Sequence, residues 1–228
     1  MELSNRLIKI AEELTSISMA DIGTDHAYIP IYLCKNNKVN KAIASDVNPQ
    51  PLEKAKHNIK VHRLEEKIET RLGNGLEKIE SAEVQSISIA GMGGMLMIDI
   101  LNDDVEKTKS FEQLVLQPQL DVSEVRKYLH KIGFKIVNEV MLYEDSIFYT
   151  ILNAKKGIDH FYTSKNYLFG KILIEQKDSV LKKFLKSELE KQNRIQKSLE
   201  GLTSETGKVR LEEVKKLNKI YREVYQCL

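Results

Sequence analysis

The sequence predicts an α/β fold: a mostly parallel seven-stranded sheet with an antiparallel last strand, followed by a helical coiled-coil hairpin at the C-terminus. Three observations predict it. Between residues 18 and 154, short apolar runs alternate with helix-period patterns, as in a parallel sheet covered on both faces. The last two apolar runs are separated only by Glu144-Asp145-Ser146, too little chain for a parallel crossover, so they pair antiparallel. Beyond Gly157 the strand signal stops and helical patterns remain.

The elements follow in order. Leu3, Leu7, Ile10 and Leu14 recur at helical intervals and predict an N-terminal helix with one buried face. Met19–Gly23 reads as a buried strand ending in a turn, and Lys41–Val47 as the second strand. Asn48-Pro49 opens a helix reaching Arg63, with Leu52, Ala55 and Ile59 inward. Ile68–Leu72 and Val84–Ala90 are strands three and four, and a helix starts at Met95. Gln113–Leu116 is the fifth strand, stopped by Pro118, and Ser123–Ile132 is a helix ending at Gly133. Phe134–Tyr143 and Ile147–Leu152 form the closing pair. Residues 165–202 and 208–227 then predict two helices around a Thr203–Gly207 turn. Val214, Leu217, Tyr221, Val224 and Leu228 form one seam; Leu181, Leu185, Ile195, Leu199 and Leu202 face it, with Glu188 and Gln192 in the intervening seats. The expected domains are 1–156 and 157–228.

Composition narrows the class. A chain of 228 residues with 42% hydrophobic and 30% charged residues holds a real core and is not disordered. Cys34 and Cys227 cannot build a disulfide framework or a four-ligand metal site, so no metal is expected. No apolar run approaches the ~18 residues of a membrane span, and the acidic N-terminus is no signal peptide. A cytoplasmic protein is expected, with no membrane partner. The net charge of +2 hides a split: 20 Lys+Arg against 23 Asp+Glu over 1–156, and 15 against 10 over 157–228.

The first strand runs into Asp21-Ile22-Gly23-Thr24-Asp25-His26-Ala27. A dinucleotide-binding turn needs three glycines for close approach to a pyrophosphate. Only Gly23 remains, and Asp25 stands at the second position, where it repels phosphate. The turn suits a nucleoside-type ligand without phosphates and with a positive group, such as S-adenosylmethionine, its ammonium met by Asp21 and Asp25. Alone, the motif reads equally well as a tight strand–helix turn with solvated acids. Asp46 lies 23 residues after Gly23, near the spacing of a ribose-binding carboxylate; capping the following helix is the competing role. Asn74 and Gly75, after the third strand, read as an adenine-side loop or as a plain turn. Gly91 and Gly93, in Ala90-Gly91-Met92-Gly93-Gly94, leave room at a strand's C-terminal end. No Asn-Pro-Pro-aromatic motif stands there, which argues against exocyclic-amine methylation by that route.

MADIGTDHAYIP, ASDVNP, LGNGLE, IAGMGG and LQPQLDVSEVRKYL occur in this order over residues 2–154, and the chain thereby resembles the bacterial tRNA (adenine(22)-N1)-methyltransferase family. The resemblance implies a class I (Rossmann-like) methyltransferase fold and S-adenosylmethionine as donor. It also implies tRNA as partner, with methylation at N1 of adenine 22 in the D-arm region. An unpaired N1 has a free lone pair, so the enzyme mainly aligns the reacting atoms.

His26 and Tyr28 are the candidate catalytic residues: His26 orders Asp25 or touches the cofactor, and Tyr28 stacks on the target base. A capping histidine and a packed aromatic are the competing readings. Gln117-Pro118-Gln119 ends the fifth strand, and its amides, Gln117 in the first place, are candidates for reading the base edge, with ordinary loop polarity as the competing reading. Lys183, Lys186 and Arg194 stand for a basic hairpin that meets tRNA phosphates, or for its ordinary solvated face. His57, His62, His130 and His160 carry no assigned chemistry. A monomer is the default oligomeric expectation, a dimer through the hairpin the other. Two rival functions are a small-molecule methyltransferase, which would need a lid over the glycine edge, and a non-catalytic tRNA-binding module.

Overall fold

The computed structural model describes residues 3–159, 162–201 and 204–228. His160, Leu202 and Thr203 lie outside the described residues. The chain divides into two compact units, 1–161 and 162–228.

The first unit opens with α1 (Asn5–Glu13), capped by Ser4, whose hydroxyl accepts from the Leu7 N–H. Ile10, Ala11 and Leu14 are buried, whereas Leu7 only borders the core. Then come β1 (Ser18–Ile22), α2 (Tyr28–Lys35), β2 (Lys41–Asp46), α3 (Pro49–Val61) and β3 (Ile68–Leu72). They are followed by β4 (Ser86–Met92), α4 (Gly94–Asn102), α5 (Val105–Ser110), β5 (Gln113–Pro118), α6 (Val122–Lys131), β6 (Phe134–Glu144) and β7 (Ile147–Lys156). The sheet order is β3-β2-β1-β4-β5-β7-β6. The first five strands in that order are parallel; β7 runs antiparallel to both β5 and β6. Chain order reverses beside β1, so the C-terminal ends of β1, β2 and β4 face one crevice, where open α/β sheets bind ligands.

Three differences from the sequence expectation have physical causes. The short α5 has no apolar stripe to reveal it; of its residues only Thr108 is buried. β7 extends four residues past Leu152 because Asn153, polar but buried, spends its amide on Glu13 and Gln113. β4 extends through Gly91, where its register with β5 shifts between Ala90 and Met92. Gly91 has φ +77°, so this bulge suits a residue without a side chain.

In the second unit the single helix expected over 165–202 is three: α7 (Ser164–Phe169), α8 (Lys171–Glu175) and α9 (Ser179–Glu200). Gly170, at φ +90°, ends the first, and Lys177, at φ +52°, precedes the third. Asp178 restarts the chain by accepting from the Leu181 N–H at 2.7 Å. The last helix, α10 (Glu205–Cys227), is capped by Ser204 and packs on α9. Leu181, Leu185, Val214 and Val224 are buried between them, but so is Asn218, which donates to Gln196 at 2.9 Å. Ile195, Leu199, Leu217 and Tyr221 are only half-buried. Polar pairs therefore replace apolar packing in the middle of the hairpin.

Candidate active site

The β1–α2 turn is bent by a run of left-handed residues: Gly23, Asp25 and Ala27, at φ +72°, +49° and +57°. The N–H groups of Gly23 and Thr24 both donate to the Ser45 carbonyl, tying the turn to β2. A Cβ on Gly23 would meet only the mobile end of the Met92 side chain, so it is the left-handed φ that calls for glycine here.

Asp21, at the end of β1, is buried and accepts from Thr24 Oγ1 at 2.7 Å and from the Ser88 hydroxyl. Burial pushes its pKa up to about 6; the two hydroxyl bonds oppose that shift and the Asp46 charge adds to it. Asp46, at the end of β2, accepts from the Asn48 N–H at 2.8 Å and the Asp25 N–H at 3.4 Å. Asp46 thus fixes the start of α3 and the turn together while lining the crevice. Asp25 is largely exposed and lies 3.4 Å from His26 Nε2. The His26 ring stacks on Tyr28, centroids 4.9 Å apart and planes 8° from parallel.

These residues line a cavity of about 460 Å³, within the usual range for small-ligand sites. The structure brings Asp21, Gly23, Asp25, His26, Tyr28, Asp46 and Gly91 to its wall. It does not bring Asn74, Gly75 or Gly93 there. Asn74 is exposed, and Gly75 packs under Ile100; their loop reaches the site only through the Gly73 N–H, which donates to the Asp46 carbonyl at 3.0 Å. Gly93 caps α4 with open space around it. Gln117 needs a correction: it is fully buried, and its Oε1 accepts from Arg6 Nη1 at 2.7 Å. Its amide supports a neighbour and does not present itself to a base edge; Gln119 lines the wall instead. Lys183, Lys186 and Arg194 are all on α9 in the second unit, the first two exposed on adjacent turns and Arg194 two turns further on.

Arg6, Met92 and Gln119 also line the wall; the sequence singles out the segments that hold Met92 and Gln119 but not Arg6. Nothing local marks Arg6: it is one basic residue near the start of an amphipathic helix, and a partner 111 residues away directs it.

The donor set fits S-adenosylmethionine and not a dinucleotide. Three carboxylates line the cavity, and the β1–α2 turn has a single glycine, Gly23, where a pyrophosphate-binding turn needs three. Size alone does not select this site. A larger hollow of about 550 Å³ borders Arg71, Glu77 and Glu83, but Arg71 pairs there with Glu69 and Glu83 and holds the Glu83 carboxyl down to about 2.

The model of the tRNA (adenine(22)-N(1))-methyltransferase family matches residues 19–223. The Bacillus subtilis (strain 168) tRNA (adenine(22)-N(1))-methyltransferase is 34% identical over 98% of this chain and 97% of its own. Its crystal structure superposes with a TM-score of 0.90 over 98% and 99% of the two chains. A Streptococcus pneumoniae protein, a candidate tRNA (m1A22) methyltransferase in complex with S-adenosyl-L-methionine, is 32% identical, with a TM-score of 0.88 over 98% and 100% of the chains. M. capricolum TrmK in complex with S-adenosyl-homocysteine is 28% identical, with a TM-score of 0.87 over 100% and 99%.

Proposed function

The chain belongs to the tRNA (adenine(22)-N(1))-methyltransferase family, and from that premise we propose how its own residues carry the reaction. It is an S-adenosylmethionine-dependent enzyme that methylates N1 of adenine 22 in tRNA. The observation that carries the site assignment is the acid-lined, glycine-edged cavity at the ends of β1, β2 and β4.

S-adenosylmethionine supplies an electrophilic methyl group on a cationic sulfur. Asp46 is the residue for the ribose hydroxyls, since a carboxylate accepts from both. Asp21 faces the positive amino-acid end of the ligand from β1 and favours it by charge. Gly23 and Gly91 keep the wall free of side chains where the ligand backbone must pass. Asn74 and Gly75, which do not line the cavity wall, are assigned to a loop beside the adenine end of the cofactor, and Gly93 to the room left at the end of β4.

Adenine N1 is on the Watson–Crick edge, so the base must leave its pair or stack to enter. Tyr28 offers a stacking face for it, held in plane by the His26 ring. N1 needs no deprotonation, so no strong general base is required. The ring becomes cationic on methylation, and the Asp25 carboxylate beside His26 stabilises that charge until the N6 proton leaves. The second unit supplies the tRNA surface: Lys183, Lys186 and Arg194 contact phosphates and carry no sequence information. The working division is a catalytic domain over 1–156 and a tRNA-binding hairpin over 157–228.

A cytoplasmic location agrees with two unpaired cysteines, Cys34 buried and Cys227 exposed. Among the described residues no helix is long and apolar enough to cross a membrane.

The test of the substrate class compares acceptors. With methyl-labelled S-adenosylmethionine, label should enter an unmodified tRNA transcript and not free adenosine. Label entering adenosine alone would support the small-molecule reading.

A further inference from the structure

Two glutamines stand at the end of β5, and they differ in what their amides are left to do. Gln117 is fully buried; its Oε1 accepts from Arg6, and its Nε2 donates to the Pro118 carbonyl at 3.2 Å. Gln119 is exposed and lines the cavity. Among the described residues its carboxamide has no hydrogen-bond partner, so its oxygen and its nitrogen both remain open to a ligand.

The backbone around that amide is held. The Gln119 N–H donates to the Met92 carbonyl at 2.8 Å, and the Leu120 carbonyl accepts from the Gly94 N–H at 3.1 Å. These two bonds tie the segment after β5 to the glycine-rich end of β4, so an unspent side chain stands on a fixed base. Of the other neutral hydrogen-bonding side chains of the wall, Thr24 is spent on Asp21 and Tyr28 offers its ring face. Asn48 belongs to the β2 end with Asp46, where the ribose is assigned. Gln119 is on the opposite, β4–β5 side of the crevice.

We propose that Gln119 reads the target base: its carboxamide bonds the N6/N7 edge of adenine 22, Oε1 accepting from N6–H and Nε2 donating to N7. The proposal rests on the reading that this cavity holds S-adenosylmethionine and the adenine together. N1 must face the methyl group, which commits the Watson–Crick edge to the reaction. The N6/N7 edge then remains for recognition. A carboxamide carries an acceptor and a donor side by side in one plane, which matches adenine N6 and N7 with two bonds. Guanine presents two acceptors on that edge, so the carbonyl would face a like oxygen. The same bond also responds to the chemistry. Methylation of N1 spreads positive charge onto N6 and makes its hydrogen a stronger donor. The bond to Oε1 therefore tightens as the methyl transfers, and the amide favours the transition state over the bound base. No proton moves to the amide.

The test measures single-turnover methylation at position 22 of two tRNA transcripts. One has adenine there; the other has 7-deazaadenine, which keeps N1 and N6 and replaces N7 with carbon. Wild type, Gln119→Ala and Gln119→Asn are compared as full chains, and thermal melts report folding. Any change in the intrinsic reactivity of N1 is common to the three proteins and cancels when they are compared on one tRNA. Gln119→Ala should slow methylation of adenine about 10- to 100-fold. On the 7-deaza tRNA the same substitution should cost about 3- to 10-fold less, because the N7 bond is already missing. Gln119→Asn, which keeps the carboxamide, should recover part of the adenine rate. S-adenosylhomocysteine affinity, by calorimetry, should not move in either variant. An equal loss on both tRNAs, or no loss on either, would overturn the proposal. So would weakened S-adenosylhomocysteine binding in a folded variant, which assigns the amide to the cofactor. Wild-type chain that methylates neither tRNA at position 22 would overturn the substrate reading itself, and the proposal with it.

Discussion

Asp21 is where burial and charge oppose each other most directly. Its folded pKa, about 6, is above the unfolded value of 3.8. The folded state therefore binds the extra proton between those values, and stability from this group is fully present below about pH 3.8 and lost as pH rises through 6. Ligand binding has the opposite sign, because a cationic amino group prefers the ionised acid. S-adenosylhomocysteine affinity should fall up to about tenfold between pH 7 and 5 in the wild type. Asp21→Asn should flatten that fall, and a fall unchanged in Asp21→Asn would assign the titration to another group. Asp46→Ala should weaken S-adenosylhomocysteine about 10- to 100-fold, since two hydrogen bonds to a charged acceptor disappear. Unchanged affinity by calorimetry would remove the ribose assignment. Residues at strand ends were legible because the motif spacing places them: Asp21, Gly23 and Asp46 follow from chain order alone. Gln117 and Arg6 were not, because a side chain's direction depends on a partner far away in sequence. The same strand end that carries Gln117 turns its amide inward and leaves Gln119 on the wall.

Among elements, the β4–α4 connection shows how adjacent glycines differ. A Cβ on Gly94 would meet the Leu120 carbonyl at 2.5 Å and the Val125 side chain at 2.9 Å, both fixed by packing. A Cβ on Gly93 meets nothing within 4 Å. Gly94→Ala should therefore destabilise by about 1–3 kcal/mol, while Gly93→Ala should melt like the wild type. If Gly93→Ala also leaves S-adenosylhomocysteine binding intact, Gly93 is no part of the room the cofactor needs. The strands and their order were legible because period-2 and buried apolar runs were bounded by turn residues, and because a three-residue link forces antiparallel pairing. The breaks at Gly170 and Lys177 were not, since a glycine or a lysine within a helical pattern is tolerated unless the backbone is actually left-handed.

For the whole molecule, the near-neutral charge conceals two segments of opposite sign. The segment 157–228 carries 15 Lys+Arg against 10 Asp+Glu, and the segment before it is slightly acidic. Many of those cations pair locally, as Lys165 does with Glu223 and Lys215 with Glu212, so the excess and not the count matters for RNA. Replacing Lys183, Lys186 and Arg194 with Glu should weaken tRNA binding and make its salt dependence shallower by about one charge for each phosphate no longer bound. S-adenosylhomocysteine affinity should not move; a drop in both affinities would mean that the change reached the first unit. The measurement that tests the account most directly maps the methyl group on an unmodified tRNA transcript after incubation with the chain and S-adenosylmethionine. The account predicts 1-methyladenosine at position 22 and none when that base is guanine. Methylation at another position, at the exocyclic N6, or not at all would contradict it.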